Sequence, residues 1–117
     1  MNTPDFSTLA SRLQGAIYTD KLMQALYATD ASIYREYPLA VCLPETKEDI
    51  KLIIDFVRES DLSIIPRAAG TSLAGQCVGN GIVVDISRMD SILEVNVQER
   101  IECQYVQMKD YKPQYQL

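Results

Sequence analysis

The sequence predicts an α/β fold (α+β overall) in which a short sheet is flanked by helices. Three apolar runs of strand length, residues 39–43, 62–66 and 82–86, follow one another along the chain. An amphipathic helix pattern separates the first two, and strand, helix and strand within about thirty residues form a βαβ unit with parallel strands. A chain of 117 residues can form one domain with one modest core.

The first part of the chain, residues 1–30, is predicted to be a helical segment. Its first helix covers residues 5–14, with Asp5 as the cap and Gly15 as the terminator. A second helix covers residues 20–27. The apolar face of this second helix consists of Leu22, Met23 and Leu26.

The most regular helix pattern begins after Thr46. Thr46 is the expected N-cap, and Asp49 follows three residues later, which is a pattern similar to a capping box. The apolar stripe that follows at helical spacing consists of Ile50, Leu52, Ile53, Ile54, Phe56 and Val57. Because this helix joins the first two strands, residues 31–97 are predicted to form one α/β subdomain.

The C-terminal part of the chain has a different character. A fourth strand pattern covers residues 92–97, and at most one further strand is expected near residues 101–106. Residues 98–117 are rich in Gln and Tyr without apolar periodicity, so we expect a divergent and weakly ordered tail. Its tyrosines are accompanied by few basic residues, which favours a tail over a base-stacking surface.

The composition excludes several classes of function. The net charge is −5, and the few Lys and Arg residues are scattered, so no nucleic-acid partner is expected. No apolar run approaches the roughly 20 residues of a transmembrane helix, and the N-terminal residues do not resemble a signal peptide. The expected location is therefore cytoplasmic.

Histidine and cysteine usage restricts the chemistry further. The sequence contains no histidine, which excludes histidine-dependent nucleophiles, imidazole acid–base catalysis and histidine metal sites in this chain. Cys42, Cys77 and Cys103 are far apart, so neither a disulfide framework nor a zinc site is predicted. Cys42 lies in an apolar strand pattern, where it is expected to be a small buried hydrophobe.

A glycine-rich loop connects the second and third strands. It contains four of the five glycines, namely Gly70, Gly75, Gly79 and Gly81. Glycine allows a positive φ and a close approach of a ligand to the backbone, and open α/β sheets bind ligands at the carboxyl ends of their strands. Consecutive amides near Gly70, Thr71 and Ser72 can form a nest for an anion such as phosphate.

The spacing of Gly70 and Gly75 matches half of a P-loop. Gln76 and Cys77 stand where a P-loop needs Lys and Ser or Thr, so ATP or GTP hydrolysis is not predicted. Composition alone leaves two equal interpretations of this loop, a phosphate-binding site and a glycine-rich turn without a ligand.

The amino-acid sequence from residue 27 to residue 89 resembles that of the FAD-linked oxidase family, the vanillyl-alcohol-oxidase or PCMH-type flavoproteins. The resemblance is greatest to the branch that contains D-lactate, glycolate and D-2-hydroxyglutarate dehydrogenases. The segments that carry it are YATDAS (27–32), YR (34–35), PLAV (38–41), the capped helix, PRAAGTSLAGQ (66–76) and GIVVDISRM (81–89). The resemblance implies a small βαβ-based subdomain of a PCMH-type FAD-binding fold.

The same resemblance implies a cofactor and a set of binding residues. In that family the segment matching residues 67–76 surrounds the FAD pyrophosphate with backbone amides. The implied cofactor-binding residues are Pro66, Arg67, Ala68, Ala69, Gly70, Thr71, Ser72, Gly75 and Gln76. Some relatives attach FAD to a histidine at the position of Thr71, so threonine there implies non-covalent FAD. The implied activity is that of a flavin-dependent 2-hydroxyacid dehydrogenase, and no catalytic residue is assigned.

The resemblance covers only part of a family member. Family members are several times longer, with a second α/β part and a substrate domain, and the tail after residue 97 does not resemble them. A truncation or shifted reading frame near Arg100 and a divergent short protein both explain this. The chain is accordingly expected to be an FAD-binding segment or, alternatively, a non-catalytic remnant or binding module that cannot hold FAD alone. An exposed apolar face would then self-associate or meet the remainder of the flavoenzyme.

Three single residues have competing interpretations. Asp85 lies in an apolar strand, where a carboxylate needs partners, and it is expected to bind nearby backbone or Ser87 rather than to act in catalysis. Arg67 can contact a phosphate or anchor its own loop, and both remain open. Pro44 is expected to terminate a strand.

Overall fold

A four-stranded mixed sheet forms the centre of the computed structural model, which describes residues 4–92 and the backbone of residues 95–96 and 101–102. The strands are β1 (Ala16–Tyr18), β2 (Ala40–Leu43), β3 (Ile64–Arg67) and β4 (Ile82–Asp85). Their spatial order is β1-β2-β4-β3. β4 is parallel to both of its neighbours, whereas β1 is antiparallel to β2. The predicted α/β class is therefore confirmed.

Three helices precede or connect these strands. They are α1 (Ser7–Arg12), α2 (Lys21–Leu26) and α3 (Lys47–Ser60). α3 begins as predicted, because the Oγ1 of Thr46 accepts a hydrogen bond of 3.1 Å from the Asp49 amide. It ends at Asp61, which has the left-handed backbone (φ 52°) typical of a helix C-terminus.

The two faces of the sheet are covered differently. α1 and α3 cover one face, where the buried residues are Phe6, Leu9, Ala40, Cys42, Ile53, Val57, Ile82 and Val84. On the opposite face, Val41, Ile65 and Val83 pack under Met23 and Tyr27 from the α2 region. The prediction for Cys42 is confirmed, since the residue is fully buried and burial raises the pKa of its thiol to about 12.

Asp49 connects the start of α3 to the segment before β1. Its carboxylate is buried and accepts hydrogen bonds of 2.9 Å from the amides of Gln14 and Gly15 and of 3.0 Å from the amide of Glu45. Burial raises the pKa of a carboxylic acid, but these amide hydrogen bonds outweigh burial and hold the pKa of Asp49 below its ordinary value. The residue predicted only as part of a cap is thus a junction between two elements.

The N-terminal segment differs from its prediction in two respects. α1 ends at Arg12 because Leu13 already has extended backbone (φ −72°, ψ 139°), so Gly15 does not terminate it. Gly15 instead lies against the carbonyl of Leu43, where a Cβ atom would overlap it. The three-residue strand β1 was not predicted, because three residues are too few to show an alternating pattern.

The predicted apolar face of α2 is only partly buried. Met23 packs against the sheet, but Leu22 and Leu26 are 69% and 59% exposed. Within the part of the chain that the structure describes, these two side chains therefore stay mostly exposed.

A separate two-stranded ladder follows the main sheet. β5 (Val95–Asn96) pairs in antiparallel fashion with β6 (Ile101–Glu102). Both strands fall within the predicted strand segments, although they form their own ladder. Of the tail predicted at residues 98–117, the structure describes only the backbone of residues 101–102, so the predicted weak order lies outside the described residues. The boundaries at residues 30 and 97 remain predictions. Within the described part of the chain, no helix has the length and apolar character needed to cross a membrane.

Candidate functional site

The three parallel strands direct their carboxyl ends to one edge of the sheet. β2, β3 and β4 end there at Leu43, Arg67 and Asp85. The glycine-rich loop leaves β3 at this edge and crosses to β4, which lies between β3 and β2. This is the position at which open α/β sheets bind ligands, so the predicted loop and the expected edge coincide.

Two glycines of this loop have backbone conformations that other residues rarely adopt. Gly70 has φ +67° and Gly75 has φ +76°. Among the described residues, the remaining positive φ belongs to Asp61 at the end of α3. A left-handed residue beside a right-handed one turns successive N–H groups toward one side of the chain. The sequence signal for these turns was therefore correct at Gly70 and Gly75.

The amides before and after Gly70 are available to a ligand. Within residues 4–92, the first amides of the loop that donate a hydrogen bond are those of Ala74 and Gln76. Both donate to the Oγ of Ser72. The amides that donate no hydrogen bond to another described residue include Ala68, Ala69, Gly70, Thr71 and Ser72. These residues are exposed or half-buried. A run of unpaired donors of this kind fits an anionic group such as a pyrophosphate.

Ser72 and Gln76 organise the second half of the loop. The Ser72 hydroxyl donates to the Oε1 of Gln76 and accepts from the Gln76 amide at 3.1 Å. The Val78 amide then donates to the Gly75 carbonyl. These local bonds make residues 72–78 a turn of their own, which leaves residues 68–71 as the open part of the loop.

Arg67 contacts its own domain through its guanidinium group. Nη1 donates a hydrogen bond of 2.8 Å to the Thr29 carbonyl, and Cζ lies 5.1 Å from the centre of the Tyr27 ring. The group also occupies the space beside Gly70, where a Cβ atom would lie 2.8 Å from the Arg67 Cζ. Of the two roles left open for Arg67, the loop-anchoring contacts are present in the structure.

Asp85 is held by two hydrogen bonds at the end of β4. Oδ1 accepts from the Ser87 amide at 2.8 Å, which confirms the predicted contact, and Oδ2 accepts from the Tyr27 hydroxyl at 2.5 Å. Burial and this carboxylate together raise the pKa of Tyr27 to about 12, so the phenol stays protonated and keeps donating. Asp85 is only 6% exposed and is satisfied by these partners.

Residues 27–35, hereafter the brace segment, support the loop along its length. Besides the Tyr27 and Thr29 contacts, the Asp30 carboxylate accepts from the Cys77 amide at 3.4 Å, and the Tyr34 ring packs against Gly75. Hydrogen bonding to Ser32 and Cys77 holds the pKa of Asp30 below its ordinary value. Residue patterns gave no sign of this role, because polar and small residues there indicate only a turn. The one available signal was that the segment belongs to the family resemblance.

A separate cleft of about 320 Å³ lies at the start of α3. Its lining residues are Glu45, Thr46, Lys47, Glu48, Arg88, Met89 and Ser91. An ion pair of 3.1 Å between Arg88 and Glu45 crosses it, and both side chains remain more than 40% exposed. The cleft shares no residue with the glycine-rich loop, and exposed pairs of this kind contribute little to stability.

Comparison with known proteins assigns the loop to a family. A sequence model of the family described as an FAD binding domain matches residues 38–105. The chain belongs to this FAD-binding family. The match begins before β2 and includes the whole glycine-rich loop, which agrees with the resemblance and with FAD as the cofactor of the domain.

Curated relatives specify the branch of the family. D-2-hydroxyglutarate dehydrogenase of Pseudomonas putida is 37% identical over 105 residues, which is 85% of this chain and 10% of the relative. The Escherichia coli protein of the same name is 39% identical, over 84% of this chain and 10% of the relative. Glycolate oxidase subunit GlcD of E. coli is 28% identical, over 68% of this chain and 16% of the relative. The chain thus spans about a tenth of the length of the dehydrogenases that it matches.

Solved structures confirm the fold. 6-Hydroxy-D-nicotine oxidase from Arthrobacter nicotinovorans superposes with a TM-score of 0.64 at 22% identity, over 79% of this chain and 20% of the oxidase. Alkyldihydroxyacetonephosphate synthase gives a TM-score of 0.62 at 19% identity, over 68% of this chain and 18% of the synthase. The predicted PCMH-type FAD-binding fold is therefore confirmed.

Proposed function

We propose that this chain is the N-terminal part of the FAD-binding domain of a flavin-dependent 2-hydroxyacid dehydrogenase, and that residues 66–76 bind the FAD pyrophosphate. The observation that carries the proposal is the run of amides from Ala68 to Ser72, at the carboxyl edge of the sheet, that donate no hydrogen bond to another described residue. Backbone donors bind phosphate without net positive charge, which suits a chain with a net charge of −5.

The 2-hydroxyacid class is supported by the relatives. Those named D-2-hydroxyglutarate dehydrogenase and glycolate oxidase act on acids with a hydroxyl next to the carboxylate, as their names state. When bound, the flavin would accept the hydride from the substrate α-carbon, and the protein would position the reactants. We assign no catalytic residue to this chain.

We also propose that FAD is held without a covalent bond and between two walls. Thr71 offers no nucleophilic nitrogen, and the sequence contains no histidine that could attach the flavin. Every residue of the loop from 66 to 76 is exposed or half-buried, so the opposite wall would come from the remainder of the flavoenzyme. The cytoplasmic location stays a prediction of the sequence.

FAD binding to the purified chain tests the proposal directly. The chain has no tryptophan, so the fluorescence anisotropy of FAD itself is the suitable signal, with riboflavin as a ligand that lacks the pyrophosphate. We expect FAD to bind and riboflavin to bind more weakly. Thr71→Glu should weaken FAD binding about tenfold or more by placing a carboxylate among the amides, whereas Thr8→Glu on α1 should not change it.

A negative result has a defined meaning. If the folded wild-type chain leaves FAD anisotropy unchanged at high protein concentration, it does not hold FAD alone. The alternative, a non-catalytic remnant or binding module, would then be the better description. Equal binding of FAD and riboflavin would instead contradict the pyrophosphate role of the loop.

A further inference from the structure

Arg67 is the single cationic side chain within the loop segment 66–76, and a cation beside a pyrophosphate site invites the interpretation that it binds the phosphate. Its contacts indicate a different use. The guanidinium donates to the Thr29 carbonyl at 2.8 Å and lies over the Tyr27 ring. Both partners belong to the brace segment, so the charged group is directed toward the protein.

The same guanidinium group also lies beside the open part of the loop. It fills the space in which a side chain at position 70 would project, with Cζ 2.8 Å from the position of that Cβ atom. Within this open part of the loop, Gly70 has a left-handed backbone conformation (φ +67°). The position of Gly70 determines the direction of the neighbouring amides, because successive peptide planes are rigid and joined at its Cα.

The Tyr27 ring is fixed to the sheet. Its hydroxyl donates to the buried Asp85 carboxylate at the end of β4. A continuous series of contacts therefore runs from Asp85 through Tyr27 and Arg67 to Gly70. The Arg67–Tyr27 and Tyr27–Asp85 contacts have defined geometry, because a cation over an aromatic face and a charge-assisted hydrogen bond both restrict orientation.

We infer that Arg67 is a positioning residue, which holds Gly70 and the amides of residues 68–72 in the arrangement that receives a phosphate group, and that it does so through Tyr27 and Thr29. The inference rests on the proposed function of the loop. Preorganised donors bind more tightly than flexible ones because less conformational entropy is lost on binding. In this arrangement the amides contact the ligand and Arg67 contacts the amides.

Substitution by lysine separates positioning from phosphate binding. Lysine keeps the positive charge but loses the planar group and its fork of donors. If Arg67 positions the loop, Arg67→Lys and Arg67→Met should both weaken FAD binding on the order of tenfold, the scale of one charge-assisted hydrogen bond. If Arg67 binds phosphate by its charge, Arg67→Lys should retain most of the affinity that Arg67→Met loses, and the inference is wrong.

A double-mutant cycle tests the route through Tyr27. Tyr27→Leu should weaken FAD binding to a similar extent, and the double variant with Arg67→Met should be no weaker than either single variant. Additive losses would mean that the two residues act independently and would overturn the proposed route. Arg58→Met, an exposed arginine in the last turn of α3, is the matched control. Thermal unfolding of each variant confirms that it is folded.

Amide relaxation by NMR provides a readout that needs no FAD. In the wild-type chain we expect the Gly70 and Thr71 amides to have order parameters near the rigid value of about 0.85, and in Arg67→Met, Arg67→Lys and Tyr27→Leu to fall toward the flexible range below about 0.6. If the wild-type chain fails to bind FAD, this measurement still shows whether Arg67 positions the loop amides. Unchanged order parameters in the arginine variants would refute it, whatever the fate of the proposed function.

Discussion

Asp49 is a buried carboxylate that joins three parts of the chain. It accepts amide hydrogen bonds from the segment before β1 and from the residue before the N-cap of α3. A buried charge is tolerated only when hydrogen bonds replace its hydration, and three amides at 2.9–3.0 Å provide that replacement here. Its neighbour Thr46 caps the helix, so both polar residues at this corner are satisfied.

Replacing Asp49 by asparagine should destabilise the chain. The side-chain NH₂ group would face backbone N–H groups, and at least one amide would lose its charged acceptor. We expect a loss of about 1–3 kcal/mol in the free energy of unfolding, measured by urea denaturation. Asp55→Asn, at an exposed position on the same helix, should change it by less than about 0.5 kcal/mol. Equal effects of the two substitutions would contradict the role of Asp49.

The lowered pKa of Asp49 also predicts a pH dependence. Since the folded-state pKa lies below the unfolded value of about 3.9, protonation favours the unfolded chain. The stabilisation is fully present above the unfolded pKa and is lost as the pH falls through the folded pKa. Denaturation series at pH 7 and at successively lower pH should therefore show the difference between wild type and Asp49→Asn decreasing in acid.

α3 is the element whose two ends are best defined. Its N-terminus is capped by the Thr46 hydroxyl, and its C-terminus depends on Asp61 in a left-handed conformation. A side chain at a left-handed position is strained relative to glycine. We therefore expect substitutions at the two ends of this helix to affect the free energy of unfolding differently.

Thr46→Ala should lower the free energy of unfolding by about 1 kcal/mol, because the Asp49 amide loses its acceptor. Asp61→Gly should leave it unchanged or raise it by up to about 1 kcal/mol, because the φ of 52° becomes unstrained. Thermal or urea unfolding monitored by circular dichroism measures both. Thr8→Ala on the exposed surface of α1 is the control for loss of a threonine side chain. A Thr46→Ala variant that is no less stable than the Thr8→Ala control would show that the cap contributes nothing.

The described part of the molecule exposes several large apolar side chains. The most exposed are Leu22, Leu26, Ile33, Leu73 and Ile92, at 59–95% of their full accessible area. Larger contiguous apolar patches on soluble domains usually mark an interface. The dehydrogenases that the chain matches are about ten times longer, and we expect this exposure to make the isolated chain self-associate.

The double substitution Leu22→Glu with Leu26→Glu should reduce self-association by removing apolar area and adding two negative charges. Sedimentation velocity over a range of concentrations measures the change. Lys51→Glu changes the net charge by the same amount from an exposed position on α3, so it separates charge repulsion from loss of the apolar surface. A wild-type chain that sediments as a monomer at all concentrations would contradict the prediction.

Local patterns in the sequence predicted much of the fold. Apolar runs of strand length, the Thr46 cap and the clustered glycines report local preferences, and the structure contains the corresponding β2, β3, β4, α3 and positive φ values. β1 was missed because a three-residue strand is stabilised by pairing with β2 rather than by its own residues. The exposure of Leu22 and Leu26 was missed because periodicity defines an apolar face but not what covers it.

For the glycine-rich loop, some features follow from the sequence and others became visible only in the tertiary structure. By itself the sequence determined that this loop carries the family resemblance and that a P-loop lysine is absent, since residue identity and spacing are sufficient for both. Only the tertiary structure showed that Asp85 and Tyr27 meet across 58 positions of sequence, and that Arg67 turns toward Thr29 and Gly70. Those contacts depend on strand order and on the path of the brace segment, which are decided by packing of distant residues rather than by local preference.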